Sequence, residues 1–245
     1  MKTRLDTLLV ERRLAPSRER ARALVLAGQV RVDGVVVSKA GTAVRADSEI
    51  TLIQPDHPYV GRGALKLAHA LDTWAIQVVG RDALDIGAST GGFTDVLLRR
   101  GARSVIALDV GHGQLDWRLR TDPRVIVLEG VNARTLTPSA LPHLVDVVTI
   151  DVSFISLRLI LPPLPALLRP GADLVALVKP QFEAGRDEVG PGGLVRDPTV
   201  HQRVLADITG VAAAAGLHRV AATASPITGA TGNQEFLVHF RADAL

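Results

Sequence analysis

The chain contains no cysteine, which excludes a disulfide framework and any thiolate metal site. Aromatic residues make up only 3% of its 245 residues. Its core must therefore be built mostly of Val, Leu, Ala and Ile, and few rings are available for stacking on bases. No apolar run approaches the roughly 20 residues needed to span a bilayer. The basic N-terminus also lacks the uninterrupted apolar stretch of a signal peptide. A soluble cytoplasmic protein with no membrane partner is the expectation. Two nucleotide signatures are missing as well, G-x-G-x-x-G and G-x-x-x-x-G-K-[ST]. Their absence disfavours a nicotinamide oxidoreductase and leaves a P-loop unsupported. No internal repeat is apparent.

What is present begins with 47% apolar residues, enough for one large domain or a large one with a smaller companion. The net charge of +3 is unevenly spread: residues 1–60 hold ten Lys or Arg against seven acids, and the remainder holds eighteen of each. Basicity concentrated in a small segment points to a polyanionic partner. Leu5, Leu8, Leu9 and Arg12 share one helix face, with Arg13 beside them. Ser17 is placed to cap a second helix from Arg18 to about Ala27, and Gly28 to follow its end. Asp33-Gly34 between Val30–Val32 and Val35–Val37 is a two-residue hairpin signal. Any single arginine here reads best as a solvated side chain. Arg4, Arg12, Arg13, Arg18, Arg20, Arg22 and Arg31 together point to a phosphate-contacting surface. With so few aromatics, shape and backbone contacts are expected to outweigh single-strand base readout.

Arg4-Leu-Asp-x-Leu-Leu-Val, Ser17-Arg18-x-x-Ala21 and Gly28-x-Val30-x-Val32-Asp33-Gly34 resemble the S4 RNA-binding module over roughly residues 3–50. The resemblance implies structured RNA as partner and leaves the reaction open. The two prolines of Gln54–Tyr59 read as a linker. The expected organisation is an S4 domain at 1–54, a linker at 55–60 and a larger domain at 61–245.

The larger domain is organised around Asp85-Ile-Gly87-Ala88-Ser89-Thr90-Gly91-Gly92-Phe93, a glycine-rich turn between a strand and a helix, the arrangement that seats a ligand over a helix N-terminus. The next strand ends at Asp109, where an acid can accept hydrogen bonds from ribose hydroxyls. Strands are predicted at Ala83–Asp85, Ser104–Asp109, Val125–Leu128, Val145–Asp151, Asp173–Lys179, His218–Ala224 and Gln234–Phe240. The clearest helices are predicted at Leu157–Leu168 and Val200–Ala215. Near-continuous apolar strands alternating with helices imply an α/β fold with a mostly parallel seven-stranded sheet covered on both faces. The last two strands are joined by a Pro/Gly-rich turn, so an antiparallel hairpin is expected at one end. The turn together with Asp109 resembles the S-adenosylmethionine site of Rossmann-like methyltransferases.

Polar residues at the carboxyl edge of such a sheet should be few and purposeful. Here they are Asp151, Lys179 and Glu235, joined by Lys66 near the start of an earlier helix. Each alone is more simply a structural ion-pair partner, but two ammoniums and two carboxylates on one edge are harder to dismiss. The set matches the Lys-Asp-Lys-Glu tetrad of the FtsJ-like ribose 2′-O-methyltransferases. Gly61-Arg62-Gly63-Ala64-x-Lys66-Leu67, Asp109-Val110-Gly-His-Gly113-Gln114-Leu115, Asp151-Val-Ser-Phe-Ile-Ser156, Lys179-Pro-Gln-Phe-Glu183 and Gly232-Asn233-x-Glu235 sharpen this to a resemblance to the TlyA family, S4-containing rRNA methyltransferases also called haemolysins.

The resemblance implies methylation of a cytidine ribose in rRNA or a ribosomal subunit, with S-adenosylmethionine as cofactor. A chain that starts close to the S4 motif and ends soon after the last strand fits the family's shorter type, so 23S rRNA is favoured and 16S remains an alternative. A ribose hydroxyl must lose its proton as it attacks, and a lysine serves as base only when neutral. Lys179 is the candidate base, Lys66 its cationic neighbour, Asp151 the group that orients Lys179 and also binds the cofactor near its methyl group, and Glu235 the group orienting Lys66 or the ribose. No metal is called for. Asp85 and Gly87 to Phe93 would hold the cofactor's methionine and ribose portions, with Asp109 and Val110 at its ribose and Asn132 near the adenine. Arg62 joins the RNA-contacting arginines. The glycine-rich segment Glu183–Pro198 is expected to cover the cofactor edge and to order when RNA binds. The competing readings are a non-catalytic RNA-binding assembly factor, which the S4 module alone would satisfy, and, far behind, a haemolysin.

Overall fold

The computed structural model describes residues 2–53 and 57–242. The chain divides into two compact units, Met1–Pro58 and Tyr59–Leu245. The expected linker falls partly on residues 54–56, which lie outside the described residues.

The first unit runs β1 (Lys2–Arg4), α1 (Leu5–Glu11), α2 (Arg18–Leu26), β2 (Val30–Val32), β3 (Val35–Val36), β4 (Ala43–Arg45) and β5 (Ile50–Leu52). Leu5, Leu8 and Leu9 of α1 pack against Ala21, Leu24 and Val25 of α2, with Val30, Val44 and Ile50 completing the core. Ser17 caps α2, its hydroxyl accepting from the Arg20 amide at 3.2 Å. Asp33 and Gly34 both take positive φ, 49° and 81°, the conformation that a tight turn between β2 and β3 needs. Asp6 is fully buried, and its carboxylate is met by Arg4 at 2.8 Å and Arg18 at 3.4 Å.

The second unit contains α3 (Ala64–Thr73), β6 (Asp82–Ile86), α4 (Gly92–Arg99), β7 (Ser104–Asp109), α5 (Trp117–Arg120), β8 (Val125–Glu129), β9 (Val145–Ile150), β10 (Leu168–Val178), α6 (Pro180–Glu183), α7 (Pro198–Ala214), β11 (Leu217–Ala224) and β12 (Phe236–Ala242). Its seven strands lie in the order β11-β12-β10-β9-β6-β7-β8. β6 to β10 are parallel, and β12 runs antiparallel to both β10 and β11. Successive residues of one strand enter opposite cores, because side chains alternate across a sheet. Leu84, Ile86, Ile106 and Leu108 join the core that contains α7, whereas Ala83, Val105 and Ala107 join the core that contains α3 and α4. Both faces of the central strands are therefore buried, which accounts for their near-continuous apolar sequences, whereas the edge strand β11 is mostly exposed. α7 turns Val200, Val204, Ile208 and Ala212 inward at four-residue spacing and is capped by Asp197, which accepts from the Thr199 amide at 2.8 Å.

One expected element is absent. Residues 157–168 form no continuous helix; they give two short 3₁₀ turns, Leu157–Leu159 and Leu164–Leu167. Pro162, Pro163 and Pro165 lack the amide protons an α-helix interior needs, and their rings clash with the preceding turn. The apolar residues are nonetheless buried, since Leu157, Ile160, Leu161, Leu164 and Leu167 all join one core. β10 also begins earlier than expected, at Leu168, with an irregularity in its pairing between Leu168 and Asp173.

Candidate active site

β9 lies beside β6 although β7 and β8 follow β6 in the chain. The sheet reverses its direction of growth between β6 and β9, and a crevice opens outside the strand ends at such a point. The two strand ends are fastened together there, the Asp151 amide donating to the Ile86 carbonyl at 2.9 Å. Gly87 follows at φ +82°, and a Cβ on it would collide with the Asp151 carbonyl oxygen. Only glycine allows this approach.

A cavity of about 850 Å³ fills the crevice, lined among others by Gly87, Ser89, Asp109, Asn132, Asp151 and Phe154. A second hollow of about 260 Å³ shares Gly87, Ser89, Asp151 and Ser153 with it and is closed by Gly61, Arg62, Gly63 and Lys179. Asp109 is fixed at the end of β7, accepting from the Ser89 amide at 2.8 Å and the Gly111 amide at 2.7 Å. Asn132 faces the same cavity and accepts from the Arg134 amide at 3.1 Å. Ala88, Thr90, Gly92 and Phe93 line the smaller hollow, and Val110, though 71% exposed, lines the larger one. Gly91 caps α4 at φ 97° and lines neither.

The four candidate catalytic residues form two ion pairs. Lys179 Nζ lies 2.6 Å from Asp151 Oδ1 and donates to Ser153 Oγ at 2.9 Å. Both members of this pair line the smaller hollow. Lys66 Nζ lies 2.5 Å from Glu235 Oε2, both side chains are almost wholly buried, and neither lines either hollow. Lys66 comes from α3, and Glu235 immediately precedes β12.

Asp85 stands behind the site. Its side chain is fully buried, Thr94 and Thr149 each donate a hydroxyl to one carboxylate oxygen, at 2.7 and 2.9 Å, and it lines neither hollow. Burial pushes its pKa up to about 6, against the lowering effect of the two threonines. It braces the turn between β6 and α4 through these two bonds.

The arginines of the first unit also divide. Arg12 donates to the Ser48 carbonyl at 2.7 Å and the Ala46 carbonyl at 2.6 Å, and Arg4 and Arg18 hold the buried Asp6. These three brace the unit. Arg13, Arg22 and Arg31 are exposed, while Arg20 is half-buried, with a donor 3.4 Å from the His57 carbonyl. Arg62, in the second unit, is exposed and donates to the Thr228 carbonyl at 3.2 Å.

Other residues of the site carried no assignment in the sequence reading. Phe154 is 91% exposed, has a positive φ of 62° and lines the larger cavity. A large apolar ring held against solvent in that backbone conformation is a functional signal. Its ring meets that of Phe182 at 5.1 Å. Asn233 is buried and ties down the glycine-rich segment, accepting from the Val195 amide at 2.9 Å and donating to the Gly193 carbonyl at 2.8 Å. With Glu188 accepting from the Gly185 amide at 2.8 Å, much of that segment is already fastened by its own bonds. Motif position alone marked Ser153, Phe154 and Asn233; only the fold gives them tasks.

The site fits a nucleoside-type cofactor: a glycine turn pressed against a neighbouring strand end, a fixed carboxylate one strand away, and a cavity lined by both. Residues 59–242 match the family of FtsJ-like methyltransferases, and residues 3–50 match the S4 domain. Fold and site thus define an FtsJ-like methyltransferase joined to an S4 domain. The chain is 50% identical over 241 residues to the 16S/23S rRNA (cytidine-2′-O)-methyltransferase TlyA of Mycobacterium tuberculosis, which covers 98% of this chain and 90% of that protein. It is 40% identical to hemolysin A of Brachyspira hyodysenteriae, over 97% of this chain and 99% of that one. A solved structure described as a hemolysin from Streptococcus thermophilus superposes with a TM-score of 0.79 at 44% identity, covering 99% of this chain and 89% of that one. The chain belongs to the TlyA family.

Proposed function

We propose that this enzyme transfers the methyl group of S-adenosylmethionine to the ribose 2′-hydroxyl of a cytidine in rRNA, with 23S rRNA as its substrate and the cytoplasm as its place of work. The observation that carries the reading is the Lys179–Asp151 pair, set where the two hollows adjoin. When bound, S-adenosylmethionine supplies an electrophilic methyl group. Gly87 to Gly92 and Asp109 hold it, Asn132 and Val110 flank its base, and Asp85 acts only through the turn it braces. Lys179, aimed by Asp151 and Ser153, first gives up its own ammonium proton to solvent, and its neutral Nζ then accepts the proton of the 2′-hydroxyl as the oxygen attacks. Lys66 and Glu235 form the buried floor that fixes α3 against β12. Phe154 offers a face for the target base, since ring-on-base stacking contributes about 1–3 kcal/mol. Holding hydroxyl, base and methyl donor in one frame supplies much of the acceleration through proximity. Arg13, Arg20, Arg22, Arg31 and Arg62 contact phosphates. The domain boundaries proposed are those of the two units with their junction near Pro58, which supports RNA capture by one domain and chemistry by the other.

The M. tuberculosis relative is named for both 16S and 23S rRNA, so both RNAs belong in the test. Labelled methyl transfer from S-adenosylmethionine is measured on each rRNA and on each subunit, for wild type and Lys179→Ala. The labelled position is mapped by its resistance to alkaline cleavage. Lys179-dependent label on a 23S ribose alone is the expected result. Label on 16S as well keeps the chemistry and overturns the substrate assignment. Tight RNA binding without label moves the protein to the assembly-factor reading. No helix among the described residues is long and apolar enough to cross a membrane.

A further inference from the structure

The segment that follows Asp151 is bonded along its length to the turn that follows Lys179. Lys179 Nζ reaches Ser153 Oγ at 2.9 Å and stands 5.9 Å from the centre of the Phe182 ring. Phe182 meets Phe154 at 5.1 Å. At the far end Glu183 holds two donors: Ser156 Oγ donates to Oε2 at 2.5 Å, and the Leu157 amide donates to Oε1 at 2.8 Å. The Ser156 hydroxyl in turn accepts from the Arg158 amide at 3.1 Å. Phe154 thus lies between two anchors. One is the reacting pair itself, and the other is Glu183, which lines neither hollow.

We propose that Glu183 is a positioning residue that holds the segment Ser153–Leu157 and so keeps Phe154 presented at the cavity mouth for the target base. The physical case rests on what Phe154 would otherwise do. A ring this exposed gains by folding down onto apolar surface, and its left-handed backbone relaxes to an ordinary conformation unless its surroundings over-determine it. A carboxylate that accepts from both a hydroxyl and a backbone amide makes charge-assisted bonds, stronger than neutral ones, here two and three residues beyond the strained position. Burial raises the Glu183 pKa and the bonds from Ser156 and Leu157 oppose that rise. A glutamate kept partly desolvated here is consistent with a task at this point in the chain. Glu183 touches neither hydroxyl nor methyl donor, so its influence on the reaction runs entirely through Phe154 and its neighbours.

The proposal rests on the methyltransferase reading above, and its test separates the two. Hydrogen exchange is measured across residues 152–160 in wild type, Glu183→Ala and Glu183→Gln, alongside methyl transfer by each, by Phe154→Ala and by the Phe154→Ala/Glu183→Ala pair. Losing two charge-assisted bonds should raise exchange in this segment by on the order of tenfold or more, leave the β6–α4 turn unchanged and leave S-adenosylmethionine affinity intact. Methyl transfer should fall in kcat/KM for RNA by a similar factor. Glutamine accepts from Leu157 and can donate to Ser156, so Glu183→Gln should recover most of both losses. The double variant should be no worse than Phe154→Ala, because both act at one point. Unchanged exchange in Glu183→Ala refutes the proposal whatever the activity, as does a double variant whose loss is the product of the two single losses. Raised exchange in Glu183→Ala with no methyl transfer by the wild type overturns the enzymatic reading and leaves Glu183 as the anchor of this segment.

Discussion

Replacing Glu235 by alanine removes the one carboxylate bonded to Lys66 among the described residues. The ammonium would then sit in a site where its side chain is 8% exposed, with no counter-charge and little water. Removing one partner of a buried pair costs about 3–5 kcal/mol, because the other charge is left uncompensated. In a domain of this size each kcal/mol lowers the melting temperature by about 2–4 °C. The expected loss is therefore roughly 6–20 °C for the second unit. A thermal melt followed by circular dichroism reads it directly.

The pair variant Lys66→Met/Glu235→Leu separates stability from activity. Hydrophobic replacements of similar volume remove both charges together, and such exchanges are often neutral or stabilising. The melt should return close to wild type, while methyl transfer remains lost if the floor beneath Lys179 depends on this charge pair. A Glu235→Ala protein melting within about 2 °C of wild type, well inside the smallest shift expected, would refute the burial argument. A pair variant with full activity would refute the catalytic importance of the Lys66–Glu235 half of the tetrad.

Further outcomes follow from other parts of the chain. Gly87→Ala places a methyl group against the Asp151 carbonyl and in a left-handed conformation, which alone costs about 1–2 kcal/mol; cofactor affinity measured by calorimetry should collapse, and wild-type affinity would show that the strand ends need not meet. Acid should unfold the protein by way of Asp82 and Asp173. The hydrogen bond from Arg103 is the largest influence lowering Asp82, and at Asp173 burial is outweighed by His239, Arg81 and Arg241. A depressed carboxyl adds stability that is whole above the ordinary aspartate value of about 4 and drains away as pH falls below it; a flat stability profile from pH 5 to pH 2 would contradict this. Asp85 has the opposite sign. Its raised pKa of about 6 makes ionisation unfavourable to the fold, so Asp85→Asn should gain stability at pH 8 relative to wild type, with the gain shrinking towards pH 4. In the first unit, Arg22→Ala should weaken RNA binding and reduce its salt slope by about one, whereas Arg12→Ala should lower the melting temperature by releasing the Ser48 and Ala46 carbonyls; the reverse pattern would reassign both.

The sheet was legible because its signal is local: the central strands bury both faces, and Ser104–Asp109 needs no distant partner to read as apolar. The same logic misled at Leu157–Leu168, where apolar spacing is helical but three prolines veto the hydrogen bonds; burial survived, helicity did not. The four polar residues at the carboxyl edge could be chosen from strand ends, yet their separation into a buried pair and a lining pair depends on α3 packing against β12, contacts made across 169 residues. The bonds of Arg12 were illegible for a similar reason, since its acceptors lie 34 and 36 residues away and are backbone carbonyls that no side-chain pattern announces. Phe154 was the least legible of all. A scarcity of aromatics argued against stacking on bases, and composition says nothing about where the few rings stand. Of the chain's five phenylalanines, Phe93 and Phe240 are buried, Phe182 and Phe236 are half-buried, and Phe154 is exposed. That one is held out at the cavity mouth, next to the candidate base and against the backbone's own preference, means that neighbouring residues sustain its exposure. Lys179, Phe182 and Glu183, three residues of one short turn, are in position to do so, and the turn is therefore as much a part of the site as the strand ends that first revealed it.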